Sequence, residues 1–392
     1  VAETADTAAA ADITYLRDVK PIMDRVCARC HQVAGLAPSF ADPAYVISIA
    51  PTIAAYVAEG RMPPPAPDAT CRDYEGAEQL SLTDTEKATI AEWADAGGQL
   101  GVEPEVPSVP YIETLAPFDI EIAALTSYTP DFSTKENDYR CFALDLPNAE
   151  NMWVTAFEPI IGNPAIVHHV VLYTLNDDAV VDTAPEGFAC DGFSQPGWNF
   201  WFGWAPGGGP TQLPLGSAMR IEANQRVVLN MHYYGDATRT GESDQSGYGF
   251  KTQLEQPERA VVVSPLGTEH FRVPADDPEY QAEMDFKWPA DYGTFHVQGV
   301  FPHMHLLGSA FSMTAGDDCA VGATPWNFHN QLSTFFKEDH AIEAGDKVNV
   351  TCTWDNSADS RYQYNDPPQD IEFGEETTNE MCYAFTYGWF EF

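Results

Sequence analysis

Two hydrophobic patterns divide this chain. Over residues 13 to about 100 the apolar positions read as helical. Pro21 fits the first turn of a helix running through Met23, Val26 and Cys27, because proline lacks a donor that is unpaired there anyway. Pro51 starts a short helix that stops at Gly60. Thr83 and Glu86 form a capping box ahead of the stripe Ile90 and Trp93, and Gly97-Gly98 ends that helix. From about residue 118 the pattern becomes that of strands: Met152–Glu158, Ile166–Leu175, Arg226–Tyr234, Thr294–Phe301, Lys347–Asp355 and Cys382–Phe392, separated by turn residues.

Between the two patterns lies GVEPEVPSVP, residues 101–110, rich in proline and acids and without a helical period. It reads as a linker, extended here to residue 117. No regular helix alternates with the later strands, so a parallel βαβ sheet is not expected. The fold class is therefore multidomain. A small all-α domain (1–100, with a flexible leader over the first dozen residues) precedes two all-β antiparallel, jelly-roll-like sandwiches at 118–265 and 266–392. Leu254–Pro274 is the expected connection between the sandwiches.

Charge and cysteine content narrow the function. Nineteen basic against 59 acidic residues give a net charge of −40, which repels a phosphate backbone and excludes nucleic acid as the expected partner. No apolar run is long enough to cross a bilayer. The chain begins at Val1 without a visible signal peptide and reads as processed or trimmed. Six of the eight cysteines lie outside the motif described next, an even remainder that fits up to three disulfides in an exported protein, periplasmic or extracellular.

Cys27-Ala28-Arg29-Cys30-His31 is C-x-x-C-H, the attachment pattern of haem c. Two thiols add to the two vinyl groups, and the adjacent histidine becomes the proximal axial ligand. A small disulfide or half a zinc site are the competing readings, but the helical segment offers only Cys71 as a further zinc ligand. The expected distal ligand is Met62, presented by Gly60-Arg61-Met62-Pro63-Pro64-Pro65, where three prolines hold the loop extended. Met/His ligation suits electron transfer. In the competing reading Met62 packs against the haem edge, and Met23 or water ligates. The segment resembles a class I cytochrome c.

Five of the ten histidines fall in three predicted strands: His168-His169, His232, and His303 with His305. Imidazole is the usual ligand of copper, zinc and iron. On a regular strand His303 and His305 face one side and can share a metal, whereas His168 and His169 face opposite sides. For both of the latter to reach one metal, the strand must bulge there, or the rings must ligate through different nitrogens. His270, His296, His329 and His340 read as structural or surface residues.

The motifs H-H-V-V-L-Y (168–173), M-H-Y-Y-G (231–235) and H-M-H-L-L-G (303–308), together with the tail GEETTNEMC (374–382), resemble the copper type II, ascorbate-dependent monooxygenases in this order. That is the family of the peptidylglycine α-hydroxylating and dopamine β-monooxygenases. The resemblance covers roughly residues 118–392. It implies an electron-transfer copper on His168, His169 and His232. It also implies a catalytic copper on His303, His305 and Met381. It implies a Cys352–Cys382 disulfide and one between Cys141 and Cys190. Cys71 and Cys319 are left over, to be joined across domains or free.

The function so implied is hydroxylation of a C–H bond by dioxygen at two copper ions. The covalent haem c would supply electrons drawn from an external donor. Peptide-amidating members carry a carboxylate-binding arginine two residues before the first histidine of the second pair, where this chain has Phe301. They carry Asn and Tyr after the methionine–cysteine pair, where it has Tyr383 and Phe385. An organic, apolar or aromatic substrate fits Phe301, Tyr383 and Phe385 better than a peptide; the competing reading is that they fill the core between sheets. Trp198–Trp204 with Gly207-Gly208-Gly209 reads as a loop, either near a substrate cleft or packed on the surface. Two alternatives stand: a non-catalytic haem and copper electron carrier, and an oxidoreductase acting on a small inorganic molecule.

Overall fold

The computed structural model describes residues 12–33, 37–110, 114–190, 195–374 and 376–391. The proposed leader lies almost wholly outside the described residues, as do 111–113 of the linker and Glu375 of the tail motif. The chain divides into two compact units: 1–33, 37–64 and 78–112 form the first, and 34–36, 65–77 and 113–392 the second.

Among the described residues the regular elements of the first unit are all helices. A π-helical turn, Tyr15–Val19, runs into the helix Lys20–Val26 with Pro21 in its first turn, as the missing proline N–H allows. Ala50–Ala58 likewise carries Pro51 at its start, and Gly60 beyond its end has φ +67°, the left-handed region that glycine enters without penalty. Asp84–Asp95 has the full capping box: the Thr83 side chain accepts from Glu86 N, and the Glu86 carboxylate accepts from Thr83 N. Its stripe buries Ile90 and Trp93 against Tyr15, Leu16, Val19, Met23 and Val46.

The second unit is built of strands. A five-stranded sheet holds Val167–Leu175 and Arg226–Tyr234 as neighbours near its centre. Its inner face packs on a nine-stranded sheet through Phe142, Leu172, Phe202, Leu229, Phe157 and Phe250. A four-stranded sheet carries Gly308–Ala315 and Lys347–Trp354.

Three features depart from the sequence expectation. First, the long sheet is continuous between the two β halves, because Arg259–Gly267 pairs in parallel with Ser217–Ile221 through its first three residues and antiparallel with Tyr383–Glu391 through its last six. The expected connector therefore contains the strand Arg259–Gly267, and the 265/266 boundary falls inside it. Second, residues 65–77 belong to the β unit and not to the helical one. Asp68 N donates to Gly322 O at 2.7 Å, Glu75 N to Phe335 O at 2.8 Å, and Cys71 is bonded to Cys319. Third, Trp198–Trp204 is no loop but a strand of the five-stranded sheet, with Trp201 and Phe202 buried. Cys141–Cys190 and Cys352–Cys382 are the other two disulfides.

Candidate metal centres

The strand Val167–Leu175 does not run regularly. Its pairing with Arg226–Tyr234 slips between Val167 and His169, and that bulge brings the two adjacent histidines, which a flat strand would send to opposite faces, to one place. His169 stands directly across from His232. The Nδ1 of His169 lies 3.3 Å from that of His168 and 3.3 Å from that of His232, and one ligating atom from each of the three falls within 4.8 Å of the others. All three converge through the same nitrogen. Among the described residues this is the one group of three His, Cys, Asp or Glu side chains close enough to hold an ion.

Two of the trio's far nitrogens, those of His232 and His168, are engaged elsewhere. His232 Nε2–H donates to Asn137 Oδ1 at 2.7 Å, and Tyr139 stacks on the His232 ring at 4.3 Å. His168 Nε2 meets His329 Nδ1 at 2.9 Å. Each such bond fixes the tautomer and turns Nδ1 toward the shared centre, the usual work of an outer-sphere partner. Burial pushes His168 down to about 3, helped by the nearby His329, and pushes His169 and His232 well below the ordinary imidazole range. The three rings are neutral at neutral pH, so a metal need not displace protons from them.

The second set lies at the end of Thr294–His303. This strand pairs with Tyr383–Glu391 in the register His303↔Tyr383, so His305 and Met381 stand two residues beyond that pair on their respective chains. His303, His305 and Met381 are all buried, and the two imidazole rings lie 5.2 Å apart at 86°. His303 Nδ1–H donates to Gln331 Oε1 at 2.6 Å, and His305 Nδ1–H to Asn379 O at 3.1 Å. Here the orienting bonds are on Nδ1, which presents Nε2. Burial pushes His303 to about 3 and His305 to about 4.

Glu380, next to Met381, ties this set together. Its carboxylate accepts from His305 N at 2.9 Å, Leu307 N at 2.7 Å and Trp354 Nε1 at 2.8 Å. Burial pushes the carboxyl up to about 7 against the pull of those donors. Phe301 and Phe385 are buried beside His303, and Phe200 stacks on Phe385 at 4.0 Å. Tyr383 packs on Phe385 at 5.6 Å, and its hydroxyl donates to Glu269 at 2.6 Å.

In the helical unit Cys27 and Cys30 are free thiols, not a disulfide. His31 Nδ1–H donates to Pro38 O at 2.7 Å, and its ring stacks on Phe40 at 3.9 Å. Met62 is partly exposed.

Sequence reasoning missed His329, Gln331, Asn137 and Glu380. His329, which reads as a structural or surface residue, is exposed and also touches His168. These four lie far from the histidines in sequence, and only the sheet topology brings them close. Of the other histidines read so, His340 meets Arg72 Nη2 at 2.9 Å, and His296 pairs with Glu391 at 3.0 Å.

Residues 124–239 match the family model of the copper type II ascorbate-dependent monooxygenase, N-terminal domain. The match contains His168, His169 and His232 and ends before His303. Among solved structures, the chain is similar to PNGase F, a glycosylasparaginase from Flavobacterium meningosepticum, at 7% identity over 69% of this chain and 95% of that one, with a TM-score of 0.32. It is also similar to a Paenibacillus xanthan lyase at 11% identity over 76% of this chain and 29% of that one, with a TM-score of 0.16. Likenesses of this size carry no argument about function.

Proposed function

We propose that this chain is a copper monooxygenase that hydroxylates a C–H bond of an apolar or aromatic organic molecule, with electrons delivered through a covalent haem c. The observation that carries the reading is the meeting of the His168, His169 and His232 Nδ1 atoms at one point inside the stretch that matches the copper monooxygenase domain.

The donor sets fit the metal. Three neutral imidazoles make an electron-cycling copper site with little geometric demand, and two imidazoles with the Met381 thioether suit a softer copper(I) with an open position. Two coppers so held would supply the reduction of dioxygen by two electrons and two protons, leaving one oxygen atom in the substrate hydroxyl and the other in water. The residues contribute the rest. Asn137, His329, Gln331 and the Asn379 carbonyl hold the ligand rings in the required tautomers. Glu380 pins the His305 backbone to the methionine segment. Phe301, Phe385 and Phe200 give the surroundings of His303 an apolar character, where a carboxylate clamp would need a cation.

The helical unit fits haem c. Cys27 and Cys30, both free thiols, would hold a haem c covalently, and His31, whose Nδ1–H is held by the Pro38 carbonyl so that Nε2 is left over, and Met62 would ligate its iron. Such a haem would exchange single electrons. Three disulfides suit an oxidising, extracytoplasmic compartment. No helix among the described residues is long and apolar enough to cross a membrane.

The test is product mass spectrometry under labelled dioxygen across a panel of apolar and aromatic compounds, using copper-loaded protein. One labelled oxygen per product is expected. Electron transfer with no labelled product would instead identify a carrier. Stopped-flow mixing addresses the haem separately: reduced haem should be reoxidised by the copper-loaded core under oxygen.

A further inference from the structure

Between the strands Asp318–Ala323 and Thr334–Ile342 the chain has neither helix nor strand. Within that stretch two nearby residues reach different metal centres. His329 Nδ1 lies 2.9 Å from His168 Nε2 of the first set, and Gln331 Oε1 accepts from His303 Nδ1 of the second at 2.6 Å. Phe328 lies between the two sets: its ring centroid is 5.3 Å from that of His168 and 6.3 Å from that of His305.

The stretch is also tied to itself. Gln331 Nε2 donates to Phe328 O at 3.0 Å, and His329 N to Asn327 Oδ1 at 2.9 Å. Asn330, between the two contact residues, donates to Pro65 O at 2.9 Å, and Pro65 follows Met62 by three residues along the chain. A backbone shift at Phe328 or His329 therefore strains the bonds to Gln331 Nε2 and Asn327 Oδ1.

The geometry points to a strap, residues 327–331, that couples the filling of the two copper sites. His329 and Gln331 are positioning residues, one for each site. The inference rests on the proposed reading of both sets as copper centres. A copper held by the Nδ1 trio requires the His168 Nε2–H to donate to His329 Nδ1, and this holds the strap in the position from which Gln331 orients His303. Whichever site fills first meets the cost of ordering the strap, and the other then binds more tightly. By reciprocity the enhancement is equal in both directions.

The experiment is a copper(I) titration of the full chain against a competing chelator. Each site is also measured alone, the first in His303→Ala and the second in His169→Ala protein. In the intact protein, filling one site should raise the affinity of the other by about 5- to 150-fold. His329→Ala should lower first-site affinity by about 10- to 100-fold and abolish the enhancement. His329→Asn, whose Oδ1 can accept where Nδ1 did, should restore both. His329 is exposed at the surface, so its replacement leaves the core intact. Two coppers that bind independently, or an enhancement that survives His329→Ala, would overturn the strap while leaving the copper assignment standing. Binding of fewer than two coppers would overturn both.

Discussion

Glu380 is buried beside His303, His305 and Met381 and bonds the His305 backbone without being one of the proposed ligands. A buried carboxylate is costly, and this one is retained because it accepts from three buried donors at once. Replacing it by alanine strands the N–H groups of His305 and Leu307 and the Trp354 indole N–H. Each stranded donor costs about 1–3 kcal/mol, so Glu380→Ala should lower the stability of the β unit by about 3 kcal/mol or more. A denaturant titration followed by Trp fluorescence checks this, and an unchanged midpoint would show that the three donors find other partners. The two histidine sets, proposed here as ligands, stand out in the sequence because adjacent or alternating histidines on strands point to a shared ligand set. Glu380, Asn137 and Gln331 do not, because a polar residue that orients a ligand looks, in sequence, like any other polar residue.

Among the elements, the bulge at His168-His169 matters most. The sequence required either a bulge or the use of different ring nitrogens, and the slip in register beside His169 together with convergence through Nδ1 is the first of these. Alternation rules could pose the alternatives but not choose, since a bulge depends on how the neighbouring strand pairs. The helix Asp84–Asp95 was fully legible, because its capping box is a local signal. Thr83→Ala should cost about 1 kcal/mol, seen as faster amide hydrogen exchange over that helix with the β unit unaffected. Burial pushes the Glu86 carboxyl up, but hydrogen bonds from Thr83 and Arg25 outweigh it and hold the group below the usual carboxylate range. The sign follows: Glu86 contributes stability above its unfolded pKa, and that contribution is lost as pH falls through the lower folded value. Acidification should therefore loosen this helix in wild-type protein and do so less in Glu86→Gln. The strand Trp198–Trp204 reads as a loop in the sequence because Gly203 and the following Gly207-Gly208-Gly209 are turn signals that outweigh its aromatic, strand-favouring residues.

At the scale of the whole molecule, the division between helix-rich and strand-rich sequence was legible in the change of hydrophobic period near residue 118. The assignment of residues 65–77 was not. They precede the linker in sequence, yet the Cys71–Cys319 bond and the hydrogen bonds to Gly322 and Phe335 join them to the β unit. Only long-range pairing could reveal this, and cysteine spacing alone left Cys71 and Cys319 unassigned. The bond spans a sequence separation of 248 residues, so in the chain-entropy model its removal costs about 5.5 kcal/mol. Cys71→Ser with Cys319→Ser should lower the urea midpoint of the β unit, and a midpoint equal to wild type would mean that the hydrogen bonds alone hold residues 65–77 in place. The parallel join of Arg259–Gly267 to Ser217–Ile221 was equally invisible, since strand pattern carries no information about partner or direction. The account of function depends on the two histidine sets being separate metal centres. Copper analysis of the reconstituted full chain measures this most directly. Two copper ions per chain are expected, falling to one in His169→Ala protein; a wild-type chain that binds fewer than two, or a His169→Ala chain that keeps both, would contradict it.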